Sequence, residues 1–149
     1  MIDVNELMKG DWLSLNYDIN YKTGELIYAP VQITGINTDG TIDVNFTYDP
    51  SPSMQDGWDP KLFESIPLTR EIFEKNGFEE KIYDFGKFGP SRDFSAFYLS
   101  DGIVIWKQYD NWIVGSNSDD FNGWFSIYYV HELQHMLKYI SIIKTIKLV

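Results

Sequence analysis

From Thr41 onward, apolar Ile42, Val44, Phe46 and Tyr48 alternate with polar Thr41, Asp43, Asn45 and Thr47. A period of two predicts a strand with one buried and one wet face. Similar patterning predicts strands from Trp12 to Tyr17 and from about Leu26 to Ile36, with a short helical turn over Leu7 to Trp12 leading in. Pro30 has no N–H to donate, so the second strand should be an edge strand or carry a bulge. Thr38-Asp39-Gly40 is a hairpin turn. Three such strands before residue 50 predict a small, bent antiparallel sheet of SH3-like type.

The stretch 49–60 holds Pro50, Pro52 and Pro60, which forbid continuous helix or central strand and predict a long surface loop. A short helix over 70–76 is read from its punctuation: Thr69 as N-cap, Glu71 in the first turn, and Asn76-Gly77 as a left-handed stop. Phe78 should fold back onto Ile72 or Phe73, and the Asn-Gly pair should be a helix stop and nothing more. Strands over 81–85, 94–99, 103–108 and 112–114, separated by turn signals at 86–90, 100–102 and 110–111, predict an antiparallel meander. After a polar loop at 115–123, Val130, Leu133, Met136, Leu137 and Ile140 form an apolar stripe on a helix over 127–140, expected to pack on the meander. The tail 142–149 is expected to add an edge strand. The fold class is therefore α+β, divided into an SH3-like β subdomain at 1–68 and an α+β subdomain at 69–149.

Composition narrows the chemistry. The 149 residues carry 22 acids against 12 bases, a formal charge of −10, with no cysteine. Residues 1–60 hold ten acids against Lys9 and Lys22, whereas 61–149 are close to balanced. Direct nucleic-acid binding and anionic membrane surfaces are disfavoured by this charge. Lack of cysteine removes disulfide scaffolds, Cys-ligated zinc and thiol nucleophiles. No apolar run approaches a membrane span and the first twenty residues hold no signal-peptide core, so a cytoplasmic globular protein is expected.

His131-Glu132-Leu133-Gln134-His135 reads H-E-x-x-H and contains both histidines of the chain. Four residues apart on a helix, two imidazoles can share Zn²⁺ while the glutamate polarises a bound water, the arrangement of a zinc-dependent metallopeptidase. That reading makes Glu132 the catalytic residue and His131 and His135 the metal ligands. Three features oppose it. Catalytic zinc wants a third protein ligand, and residues 136–149 contain no Glu, Asp or His. Lys138 and Ser141 stand where the extended motif has Gly and His. Lys138 also brings a cation beside both imidazoles. Asp119 or Asp120 could supply an upstream ligand only in an order foreign to zincins. The alternative is that both histidines and Glu132 occupy the outward face of the helix, with no catalytic residue and no cofactor.

Other motifs are weaker. Ser118, Asp120, Asn122 and Gly123 match the start of a calcium loop, but Tyr129 stands where a bidentate Glu is required. No nucleophile elbow or phosphate-cradling glycine loop is present. Trp12, Trp58, Trp106, Trp112 and Trp124 could stock a sugar- or peptide-binding face, although aromatics at this density more often build a core; Trp58, in the loop, is the one expected to be exposed.

Three segments resemble a family of short proteins of uncharacterised function encoded by phages and mobile elements of gut bacteria. They are Leu7-Met8-Lys9-Gly10-Asp11-Trp12, then Ile66-Pro67-Leu68-Thr69 leading through Glu71-Ile72 to Gly77-Phe78, and finally Tyr129-Val130-His131-Glu132-Leu133-Gln134. In that family the last segment runs Y-V/I-H-x-L-Q-N, so the resemblance implies that Glu132 and His135 are replaceable and that no catalytic residue is established. The tail from Ser141 to Lys147 departs from the family's usual ending.

The sequence thus leads to a small acidic, non-enzymatic binding or regulatory protein whose partner is another protein with a basic surface. The rivals are the zinc metallopeptidase and an acidic DNA-mimic inhibitor. Oligomeric state is not encoded in any motif.

Overall fold

The structure, a computed structural model, describes residues 2–46, 55–83, 94–98, 103–116, 123–140 and 145–148. Among these lie nine strands and two α-helices in two antiparallel sheets, an α+β fold. Contacts divide the chain into two units. One takes the chain up to Pro67 and resumes at Tyr129, and the other spans Leu68–Tyr128 with Thr145–Leu148.

In the first unit, β1 (Trp12–Ile19), β2 (Leu26–Ile36), β3 (Ile42–Phe46) and β4 (Phe63–Ser65) form a sheet in the order β3-β2-β1-β4. Leu13, Leu15, Val31, Ile33, Ile42, Val44 and Phe63 build its core with Leu7. The expected turn at 38–40 is present, with Gly40 at φ +86° and the Asn37 N–H donating to Thr41 O. β1 runs two residues beyond the expected end. A bulge between Asn16 and Asp18 interrupts its register, so Tyr17 packs on the core while Ile19 pairs with Leu26. The three-residue β4 had no pattern long enough to reveal it. Residues 47–54, the end of the expected third-strand alternation and the start of the proline-rich loop, lie outside the described residues. The end of that loop turns back on β3: Ile42 and Trp58 exchange two backbone hydrogen bonds, each 2.9 Å. Trp58 is consequently half-buried against the core and edge-on to Phe46, not exposed as expected.

In the second unit, β5 (Glu79–Tyr83), β6 (Phe94–Tyr98), β7 (Ile103–Gln108), β8 (Asn111–Ser116) and β9 (Gly123–Ile127) make a sequential meander. β9 runs from the last residue of the expected loop to the first of the expected helix, through 124–126, which the sequence reading assigns to neither; Phe125 is half-buried, Ser126 exposed and Ile127 buried, which is a strand's period. Helix α1 (Arg70–Lys75) sets Phe73 against Phe97 and Trp112, with ring centroids 4.9 and 4.7 Å away. Thr69 is the N-cap residue by position, but its side chain makes no capping bond. At the other end Gly77 takes φ +72°, where a side chain would be strained, and Phe78 folds back edge-on to Phe73.

The Asn-Gly stop proves to be more than a stop. The Asn76 side chain accepts from Lys147 N at 2.7 Å and donates to Lys147 O at 2.9 Å, as a neighbouring strand would. Residues 145–148 are thus pinned by a side chain and do not form the expected edge strand; Ile146 beside them is 1% exposed.

Helix α2 (Val130–Tyr139) carries the expected stripe, with Val130, Leu133, Met136 and Leu137 buried. Its grouping corrects the expectation: it belongs to the unit of the N-terminal sheet and contacts β1, so the chain is not cut into 1–68 and 69–149. A stripe specifies that a face is buried, not which surface buries it. Among the described residues, no helix is long and apolar enough to cross a membrane.

Candidate functional site

The H-E-x-x-H segment meets the Gly10-Asp11-Trp12 turn in the first unit. Gly10 enters β1 at φ +98°, a conformation that L side chains rarely adopt. This turn leaves backbone groups without ladder partners. Gly10 N donates to Ile33 O at 2.8 Å and Ile33 N donates to Asp11 O at 2.9 Å. The remainder is completed by side chains. Gln134 accepts from Trp12 N through Oε1 and donates through Nε2 to Gly10 O, both at 2.9 Å. A primary amide presents one acceptor and one donor in a plane, so it substitutes here for a peptide of a missing strand. Gln32 Nε2 also donates to Gly10 O.

Asp11 is the buried charge of the arrangement, its side chain 3% exposed. It accepts from Met8 N at 2.8 Å, and from His135 Nε2 at 2.8 and 2.9 Å to its two oxygens. A buried carboxylate must be met by donors or it costs several kcal/mol, on the order of the full desolvation of the group. His135 answers that need from one turn after His131 on α2.

His131 is buried, at 5% exposure, rather than on the outward face. Its ring stacks parallel to Tyr129, with centroids 5.9 Å apart, and lies edge-on to His135 at 5.8 Å. Nδ1 is buried with no hydrogen-bond partner. Burial holds the His131 pKa below its ordinary value; His135 lowers it further, while the carboxylates of Asp11, Glu132 and Glu6 pull it upward. The neutral imidazole is the form that this packing favours.

Glu132, the general base of the peptidase reading, closes a capping box. Its Oε2 accepts from Tyr129 N at 3.0 Å, at the start of α2. Among the described residues, no three His, Asp or Glu side chains are grouped so that they could hold a metal ion. Asp119 and Asp120, the upstream ligands considered above, and the calcium-like residues Ser118, Asp120 and Asn122 lie outside the described residues.

The structure therefore places each member of the motif in a structural contact within the first unit, and brings to it Asp11, which the sequence reading had not connected with it. The signal was present but unpaired: the Gly-Asp-Trp and His-x-Leu-Gln segments stood out separately, and nothing in their local spacing relates them. The aromatic residues divide in the same spirit. Trp12 and Trp112 are buried at 5% and 6%, which makes them core components. In the second unit a cavity of about 390 Å³ has Phe97 and Trp112 in its lining beside Arg70, Glu71 and Lys107. Lys107 Nζ lies 5.7 Å from the centre of the Trp112 ring, so the cation covers the indole that a sugar would stack on. No family model, curated protein or solved structure matches this chain.

Proposed function

We propose that the chain is a small, acidic, non-enzymatic binding or regulatory module of the phage and mobile-element kind, acting in the cytoplasm on a protein partner with a basic surface. The SH3-like reading of the four-stranded sheet is part of the same proposal. One observation carries it: Glu132, Gln134 and His135 spend their hydrogen bonds on the protein itself, at Tyr129 N, at the Gly10 and Trp12 backbone and at Asp11. A hydrolase needs its base and its ligands turned toward a substrate. Here those groups support the docking of a helix on a sheet. The acidic front half supports the choice of a cationic partner.

The DNA-mimic alternative is less well supported. Asp3, Asp39, Asp43 and Asp59 each accept a backbone N–H in a local turn, cap or loop contact. Their positions follow the needs of those turns.

The test is affinity capture of the full chain after formaldehyde cross-linking in cells that encode it, run beside Glu132→Gln. The expected result is a cationic protein partner, released as salt rises and retained equally by E132Q. Stoichiometric zinc in the purified protein, together with a peptide-cleaving activity abolished by E132Q, would overturn the proposal.

A further inference from the structure

The hairpin of β1 and β2 leaves an apolar face uncovered. Partners directly opposite in an antiparallel pair share a face, and alternate residues along one strand do too. Leu13 with Val31 and Leu15 with Ala29 therefore define the core side. On the other side fall Asn16 with Tyr28, and then, because the bulge adds one residue to β1, Ile19 with Leu26. Without that bulge, alternation from Leu13 and Leu15 would have carried Ile19 to the core. Ile19 and Leu26 are each 47% exposed, Tyr28 is 41% exposed, and Tyr21 in the connecting turn is 94% exposed.

This end of the hairpin also outruns its neighbours. β4 pairs only with Leu13–Leu15 of β1, and β3 only with Val31–Ile36 of β2. Residues 16–19 and 26–30 thus form a two-stranded ribbon with no third strand among the described residues. Such ribbons have little stability of their own, and an apolar patch on one is a surface that gains by being covered. Glu25 and Glu64 are exposed around it, the latter accepting from the Tyr28 hydroxyl, with Lys22 the cation of the turn.

We infer that the outer face of this hairpin, centred on Ile19, Leu26 and Tyr28, is the docking surface for an apolar, lysine- or arginine-rimmed segment of a partner protein. The inference rests on the binding-module reading and names its site. Charge selects the occupant: a second copy would bring the same acidic rim against this one, whereas a cationic rim complements it. Apolar contact at the centre supplies affinity, and the carboxylates set approach and register.

Two experiments decide it. Benzophenone-phenylalanine is placed at Leu26 or Tyr28, and for comparison at the exposed Tyr109 or Tyr139, in the full chain within cells that encode it. The expected result is a position-specific cross-link from 26 and 28 to a cationic protein, lost in Ile19→Asn and weakened at high salt. Cross-links to a cationic protein from 109 or 139 alone would overturn this surface while leaving the binding-module reading intact. A cross-link from 26 or 28 to a second copy would overturn the cationic occupant, and absence of any cross-link from all four positions would overturn both readings. In the second experiment the purified chain is titrated with a peptide alternating Leu and Lys and with an all-Lys peptide of equal charge. The alternating peptide should bind at least about tenfold more tightly, and Ile19→Asn with Leu26→Asn should erase that difference; equal binding of the two peptides would overturn the apolar centre.

Discussion

His135 donates Nε2–H to both oxygens of the Asp11 carboxylate, at 2.8 and 2.9 Å, across 124 positions of sequence. Asp11 is the more deeply buried partner, so loss of the imidazole leaves a carboxylate short of a donor where water reaches poorly. His135→Ala and Asp11→Ala should each cost about 2 kcal/mol, and the double variant about 1–2 kcal/mol less than their sum. Urea unfolding of the four proteins measures the coupling. Additive losses would show that this pair does not hold α2.

His131 should make the protein acid-sensitive. Its folded pKa lies below its ordinary value because of burial, whereas the unfolded imidazole titrates near about 6.5. The unfolded chain therefore binds the proton first as pH falls, and stability declines from about pH 6.5 down to the folded pKa, where this contribution levels off. His131→Phe keeps a ring on Tyr129 and removes the unpartnered Nδ1. It should match or exceed the wild type in stability at about pH 7 and flatten the decline toward about pH 5.5. Thermal melts of both proteins across that range decide the matter.

Gln134 offers a test in which charge and shape are separated. Gln134→Ala removes two hydrogen bonds and should cost about 1–2 kcal/mol, softened because Gln32 still donates to Gly10 O. Gln134→Glu retains an acceptor for Trp12 N but sets a carboxylate oxygen against the Gly10 carbonyl. It should be the more damaging of the two, by about 1 kcal/mol or more. Chemical denaturation at neutral pH ranks them, and the reverse order would contradict the assigned amide orientation.

The Asn76 clamp predicts local consequences in the second unit. Asn76→Asp keeps the acceptor for Lys147 N and loses the donor to Lys147 O and Ile72 O. Asn76→Ala loses all three bonds. Amide exchange at Lys147 should accelerate strongly in the alanine variant and little in the aspartate variant, with a global loss of about 1–2 kcal/mol for alanine. Equal exchange in all three proteins would show that the Asn76 bonds do not hold the tail.

The sequence was a good guide wherever the physics is local. The alternation around Ile42, Val44 and Phe46 gave β3, the 38–40 turn gave its hairpin, and the stripe from Val130 to Leu137 gave α2. Gly77 and Phe78 marked the end of α1 for reasons contained within one turn of chain. Local pattern misled at β9, whose first residue reads as loop and last as helix with 124–126 assigned to neither, and at Trp58, where proline density hid a short return to the sheet.

By itself the sequence determined an acidic α+β chain, its strand and helix periods, and which side of α2 must leave water. Only tertiary structure decided that α2 closes on β1, that Asp11 receives His135 and Gln134 completes the Gly10 turn, and that the Tyr17 bulge turns Ile19 outward. Periodicity reports how each residue relates to its own helix or strand. The partner of a buried carboxylate or of an open backbone group is fixed by surfaces that meet more than a hundred residues apart, and no local spacing records that meeting.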